Sequence, residues 1–335
     1  MKKIAPTVVA VCALIAPCSL AQATPSLETF QVPGATYTYP KAINSREEVT
    51  GSWKLSDQIL HGFVRDRYGA ITTFDIAGNQ TDSIAINKKG EVVGGYDLGA
   101  RRWRAFLRKP DGRIVTFRVP NEGPTSASGI NANGEIIGTY WEPGSVCHHH
   151  CGTSAFLRGA DGTFTEFAVP NSDTRPLGIN VLGDVGGYAE TYPAGAYGFI
   201  RTAAGQLTTF QIGGYHSTTV EGINDAGSVT GDVLTGNGSV GFVRTADGTV
   251  TTFSVPGCPY TWGMSINLNG VVAGRCTDSA GHGHGFIRAT DGSISTLDVP
   301  GEDDTFVYSI NDNGLVTGFG QNAANTQAVG FIYHS

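Results

Sequence analysis

The chain has 335 residues, of which 22 are basic and 29 acidic, for a formal charge of −7. That balance supplies no basic surface for nucleic acid or an anionic membrane, both of which require patches of Lys and Arg. With 47 glycines, only 15% charged residues and no long 3.6-residue hydrophobic period after the N-terminus, the composition argues for β-structure and against a helical bundle.

The first predicted element is a leader. Lys2 and Lys3 precede an apolar run from Ile4 to Leu20, and Ala21-Gln22-Ala23 has the small-x-small form of a cleavage site. This reads as a secretory signal peptide over residues 1–23; the span is too short for a membrane anchor. Val11 and Pro17 precede Cys12 and Cys18, where lipidation would need a small residue. The mature chain, 24–335, is then expected in the periplasm or outside the cell. It loses two lysines and no acids, so 20 basic against 29 acidic residues give −9.

The next segment, Leu27-Glu-Thr-Phe30-Gln-Val32-Pro33-Gly34, matches Thr251-Thr-Phe253-Ser-Val255-Pro256-Gly257 much farther along. Between and beyond them the motif Ile-Asn-x-x-Gly recurs, with asparagines at 44, 87, 131, 180, 224, 267 and 311 and intervals of 43, 44, 49, 44, 43 and 44 residues. Length alone suggests two domains, but a period of this size marks one repeat array. A small residue precedes each Ile-Asn pair, and a glycine follows seven residues after each Asn. Then comes a small-Phe-aliphatic-Arg segment such as Gly62-Phe63-Val64-Arg65, an Asp-Gly type turn, and an alternating run closed by Pro-Gly.

Period-two alternation between glycine turns predicts four short antiparallel strands per repeat. Asn caps the first turn and Gly closes it in the left-handed conformation. Repeat 1 has Glu47 in place of that glycine, which predicts a looser hairpin. Repeat 7 stops at Ser335 after three strands, and the fourth-strand sequence stands at the front of the chain. The expected fold is therefore an all-β, seven-bladed β-propeller, its last blade closed by the N-terminal strand.

The 49-residue interval contains the one clear insertion, Cys147-His148-His149-His150-Cys151. Thiolate and imidazole suit zinc or copper, with His148 and His150 as the ligands, but the spacing matches no standard structural zinc pattern. A small loop closed by a Cys147–Cys151 disulfide is the favoured reading in an oxidising compartment, with no cofactor expected. Cys258 and Cys276 each lie nine residues from Asn267. The hairpin between them brings them together, so a second disulfide is expected.

With strands ordered outward from the axis, the tight first and third turns share one face. The second connection in each repeat and the link to the next repeat share the other, and all the variable loops fall there. Such loops on a constant scaffold are where binding resides. Trp53, Tyr96 and Tyr140 share one repeat offset and are read as packing residues. Tyr215, His216, Tyr260, Trp262 and Tyr308, on the approaches to inner strands, are candidate ligand residues, with Trp103 and Trp141 farther out. Tyr and Trp suit carbohydrate stacking or a protein hot spot.

Catalytic motifs are absent: there is no Gly-x-Ser-x-Gly, His-Glu-x-x-His, phosphate loop or calcium loop. The repeat resembles the HAF family of probable extracellular repeats through Ile-Asn-x-x-Gly, His61-Gly62-Phe63, His284-Gly285-Phe286 and the Thr-Thr-Phe-x-Val-Pro-Gly segment. Arg104-Ala105-Phe106 and Ser154-Ala155-Phe156 depart at the His position. The resemblance spans essentially the whole mature chain and implies a secreted or surface-exposed bacterial protein with no defined activity. Many relatives end in a sorting anchor, whereas this chain ends Phe331-Ile-Tyr-His-Ser335, which points to free secretion or periplasmic residence. The leading expectation is a monomeric, non-catalytic module binding extracellular carbohydrate or protein. A polysaccharide lyase or hydrolase acting in the central funnel, with His216 or His284 as acid, base or ligand, is the alternative, and a structural surface protein is the third reading.

Overall fold

The computed structural model describes residues 25–334 except 57–58, 101, 143–151, 192 and 215–216. The described residues form 28 strands, β1 to β28 in chain order, and the fold is all-β. Repeat 1 sets the pattern: β2 (Tyr37–Ile43), β3 (Val49–Lys54), β4 (His61–Arg65) and β5 (Ile71–Phe74) pair antiparallel in sequence order. Each later repeat lays down its strands in the same way. One-residue parallel bridges, Tyr37 with Ala328 and Ser239 with Tyr260, link two pairs of neighbouring sheets.

The N-terminal strand β1 (Ser26–Phe30) pairs antiparallel with the last strand, β28 (Ala328–His334), from Ser26 opposite His334 to Phe30 opposite Gly330. Its side chains reproduce those of an internal fourth strand. In six repeats the buried Phe of the third strand meets a fourth-strand Phe edge to face, as Phe242 does with Phe210 at 6.5 Å. The Arg two residues after it covers the same ring, as Arg244 does at 4.9 Å. Phe30 receives Phe63 at 6.1 Å and Arg65 at 5.0 Å in the same manner. Where repeat 7 has Tyr333 instead of Arg, the preceding repeat has Leu297 instead of Phe; the pair changes together because a guanidinium needs a π-face and an aliphatic side chain offers none.

Two further sets of bonds bind repeat to repeat. A fully buried Thr six residues before each Asn accepts a hydrogen bond from the backbone N–H of the incoming segment, from Val32 to Thr38 (3.1 Å) through Val299 to Thr305 (2.9 Å). The seven asparagines are buried, and each donates from Nδ2 to the backbone carbonyl of the Asn in the next repeat. Asn311 donates to the carbonyl of Asn44 at 2.8 Å, so the circuit closes on itself.

The core is divided among the repeats. Phe63, Phe106, Phe156, Phe199, Phe242, Phe286 and Phe331 are all fully buried, one per repeat, amid Val, Ile and Ala of neighbouring strands. Cys258 and Cys276 form a disulfide with Cα atoms 5.8 Å apart. The expected looseness at Glu47 is corrected: the residue takes φ 65° and closes the same turn, its N–H donating to the Asn44 carbonyl at 3.0 Å. The Asn44 side chain caps the turn by accepting from Arg46 and Glu48 N–H, which holds Glu47 left-handed despite its Cβ.

Candidate functional site

Each innermost strand slips register once against its neighbour, leaving one bulged residue three positions before the Asn. These strands are β2, β6 (Gln80–Ile86), β10 (Thr125–Ile130), β14 (Asp173–Ile179), β18 (Ser217–Ile223), β22 (Tyr260–Ile266) and β26 (Asp304–Ile310). The bulged residues are Lys41, Ile84, Ser128, Leu177, Glu221, Met264 and Tyr308. The constant glycine seven residues after each Asn explains the slip. A Cβ at Gly51, Gly94, Gly138, Gly187, Gly231, Gly274 or Gly318 would stand 1.9 to 2.2 Å from a carbonyl oxygen of the inner strand. Only glycine lets that carbonyl approach, and the bulge re-aims the next side chain.

All seven re-aimed side chains line one cavity of about 450 Å³, together with the small residues that precede each Ile-Asn. Small residues are needed there because seven strands converge. The Asn circuit lies at the tight-turn end, around a narrower space of about 210 Å³. The wider cavity therefore lies farther from the tight turns than the Asn circuit does.

Its walls differ in chemistry. On one side Lys41 Nζ lies 2.6 Å from Asp82 Oδ1, which also accepts from Ser52 Oγ at 2.6 Å. On the other, burial pushes the Glu221 carboxyl up to about 7, the charge of Asp232 adds to the rise, and Arg275 opposes it. Asp232 is itself pushed up to about 6 by burial, against a hydrogen bond from Thr219 Oγ1 and the charge of Arg275. Arg275 lies over Trp262 at 5.2 Å and Phe306 at 5.7 Å. On a third side Tyr308 lines the cavity and belongs to an aromatic cluster behind it: Tyr39 and Phe306 each lie 4.8 Å from Phe319, and Tyr308 lies 5.9 Å from it. Burial, with the phenols of Tyr37 and Tyr308 adding to it, raises Tyr39 to about 12.

Of the residues singled out by sequence, Tyr308 lines the channel. Tyr260 and Trp262 stack on one another at 5.9 Å on β22, with Tyr260 42% exposed. Trp103 and Trp141 line a separate cleft between repeats 2 and 3. Tyr215, His216, Cys147, His148, His150 and Cys151 lie outside the described residues, as does the leader 1–23. Among the described residues no group of three or more His, Cys, Asp or Glu side chains could hold a metal. His61 and His284 bond from Nδ1 to Asp75 (2.8 Å) and Asp298 (2.9 Å), away from the channel lining. Tyr96 and Tyr140 are buried, and Trp53 packs on His61 at 4.5 Å, in keeping with packing roles.

Sequence reasoning missed Lys41, Ile84, Ser128, Leu177, Glu221 and Met264, along with the Asp232 and Arg275 pair. The signal was available: within x-small-Ile-Asn, x alone ranges over Lys, Ile, Ser, Leu, Glu, Met and Tyr. A position that varies freely inside a constant strand is one that the packing does not dictate.

No protein-family model matches the chain, and no curated protein matches it in sequence. Solved structures do match. Virginiamycin B lyase from Staphylococcus aureus, solved with quinupristin, superposes with a TM-score of 0.63 at 15% identity over 92% of this chain and 99% of that one. A streptogramin B lyase gives 0.62 at 16% identity over 92% and 97%. The β-propeller domain of the trilobed protease from Pyrococcus furiosus gives 0.59 at 9% identity over 88% and 94%. At these identities the likeness is one of fold, and the chain is a β-propeller.

Proposed function

We propose that this chain is an exported, seven-bladed ligand-binding propeller, closed by β1 as the fourth strand of its last blade, which takes its ligand in the central channel from the face of the variable connections. The observation that carries the reading is the set of seven bulged residues. One scaffold position, repeated seven times, holds a cation, an acid, a phenol, a hydroxyl, a thioether and two aliphatic groups. A position used only for packing would repeat its residue, as the seven buried phenylalanines do. The Tyr308 ring beside polar groups suits an extracellular carbohydrate or a protein side chain.

Glycan-array and protein-array binding of the purified chain tests this. Tyr308→Ala and Met264→Ala should weaken whatever binds by about tenfold, a typical loss for a buried aromatic or apolar anchor. Tyr68→Ala, at an exposed tight turn on the opposite face, should not. Binding untouched by both channel variants would sink the proposal.

One observation favours a second reading, an acid–base enzyme in the same channel. Glu221 at the cavity wall and Asp232, buried beside it, are both displaced upward from the ordinary carboxylate range and could give and take a proton near neutral pH. Assaying bound glycans for new reducing or unsaturated ends separates the two readings. Turnover abolished by Glu221→Gln with binding retained would establish the enzyme.

A further inference from the structure

Outside the channel, the junction of repeats 2 and 3 differs from the other junctions at one backbone position. Eight residues after the Asn, the second strand carries Ser52, Thr139, Tyr188, Asp232, Arg275 and Phe319, and in repeat 2 it carries Gly95. At three other junctions that side chain reaches the next repeat's inner strand: Ser52 bonds Asp82, Arg275 lies over Phe306, and Phe319 meets Tyr39. A Cβ at Gly95 would stand 2.9 Å from Ser126 Oγ and 3.0 Å from Trp103 Cε3. With glycine there, a cleft of about 350 Å³ stays open, lined by Trp103, Trp141, Asp82, Ser126 and Thr139 among others.

The lining has a consistent chemistry. Trp141 is 39% exposed and Trp103 half-buried, so the cleft presents two indoles. Ser126 and Thr139 stand opposite each other across β10 and its neighbour β11 (Ile136–Trp141), and neither hydroxyl has a hydrogen-bond partner among the described residues. The bonds to Asp82 from Lys41 and Ser52 both fall on Oδ1, which leaves Oδ2 to accept from a ligand. Apolar π-faces beside unpaired hydroxyl and carboxylate oxygens complement a pyranose, whose C–H face stacks on indole while its equatorial hydroxyls need donors and acceptors. An apolar peptide side chain would leave those oxygens unmatched, and a phosphate would meet Asp82 as a like charge.

We propose that this cleft is a sugar-binding subsite, taking one pyranose ring of an oligosaccharide between Trp103 and Trp141, distinct from the central channel and adjoining it through the Lys41–Asp82 pair. It goes beyond the channel reading and stands or falls separately. The test uses the full mature chain on a glycan array, followed by titration of tryptophan emission with the best-binding oligosaccharide. Saturable binding with a shift in emission is expected. Trp141→Ala should weaken it roughly tenfold, and Gly95→Ser, whose Cβ must displace Ser126 Oγ and the Trp103 ring, should weaken it comparably while unfolding stays cooperative. An array with no glycan bound, or a bound glycan whose affinity survives both Trp141→Ala and Gly95→Ser, would overturn it.

Discussion

At the scale of single residues, two positions hold states that their side chains disfavour. Glu47 sits at φ 65° in the turn where the six other repeats have glycine. A left-handed non-glycine residue costs about 1–2 kcal/mol, against roughly 0.5–1 kcal/mol that glycine loses in chain entropy. Glu47→Gly should therefore stabilise the protein by up to about 1 kcal/mol, read as a rise in the urea midpoint with unchanged slope. Glu221 is the second case. Its folded pKa of about 7 lies above the ordinary 4.5, so the folded state holds the proton more tightly than the unfolded one. That contribution is complete below pH 4.5 and is lost as pH rises through about 7; Asp232 behaves likewise between 3.8 and about 6. Stability should fall across this window, and Glu221→Gln should melt a few degrees higher than the parent at pH 8 while matching it at pH 4. Parallel pH curves for the two proteins would show that Glu221 does not titrate in this range.

At the scale of elements, the repeat junction makes a quantitative demand on β1. Phe30 has the same two partners as Phe210: an edge-to-face phenylalanine of the next repeat and a covering arginine. If β1 serves as an ordinary fourth strand, Phe30→Ala and Phe210→Ala should each cost about 2 kcal/mol, the sum of lost burial, ring contact and cation–π attraction. A negligible effect at Phe30 with a normal one at Phe210 would mean that β1 is only loosely docked. The strand pattern was legible in sequence because it rests on local rules: alternation, Asn capping, and glycine at positive φ. The matching of Leu27–Gly34 to Thr251–Gly257 made even the non-local closure readable. The site was less legible for a physical reason. Lys41 and Glu221 point into the channel because of a bulge, and the bulge depends on glycines on another strand, so nothing in the two residues' own neighbourhoods reveals where they point. Trp103 and Trp141 were visible as candidates, but what makes them a pair is the missing side chain at Gly95.

At the scale of the whole molecule, closure separates a ring from an open array, and the asparagine circuit allows it to be measured. Asn224 and Asn311 have identical local roles: each accepts from the N–H groups two and four residues on. They differ only in the Nδ2 bond. Asn224 donates to Asn267, the next repeat in sequence, whereas Asn311 donates across the closure to Asn44, 267 residues away. Each substitution by alanine leaves buried turn N–H groups and one buried carbonyl unpaired, for about 2–4 kcal/mol together. In a ring, every junction bears on the cooperative unit, so Asn311→Ala and Asn224→Ala should lower the unfolding midpoint equally. In an array whose ends merely touch, the Asn311 bond would already be broken in a frayed end state, and its loss would cost only the turn contribution. The discriminating measurement is the difference between the two variants in urea unfolding: equality within about 0.5 kcal/mol supports closure through Asn44, while a much smaller cost at Asn311 would mean that the first and last repeats adjoin without sharing their stability.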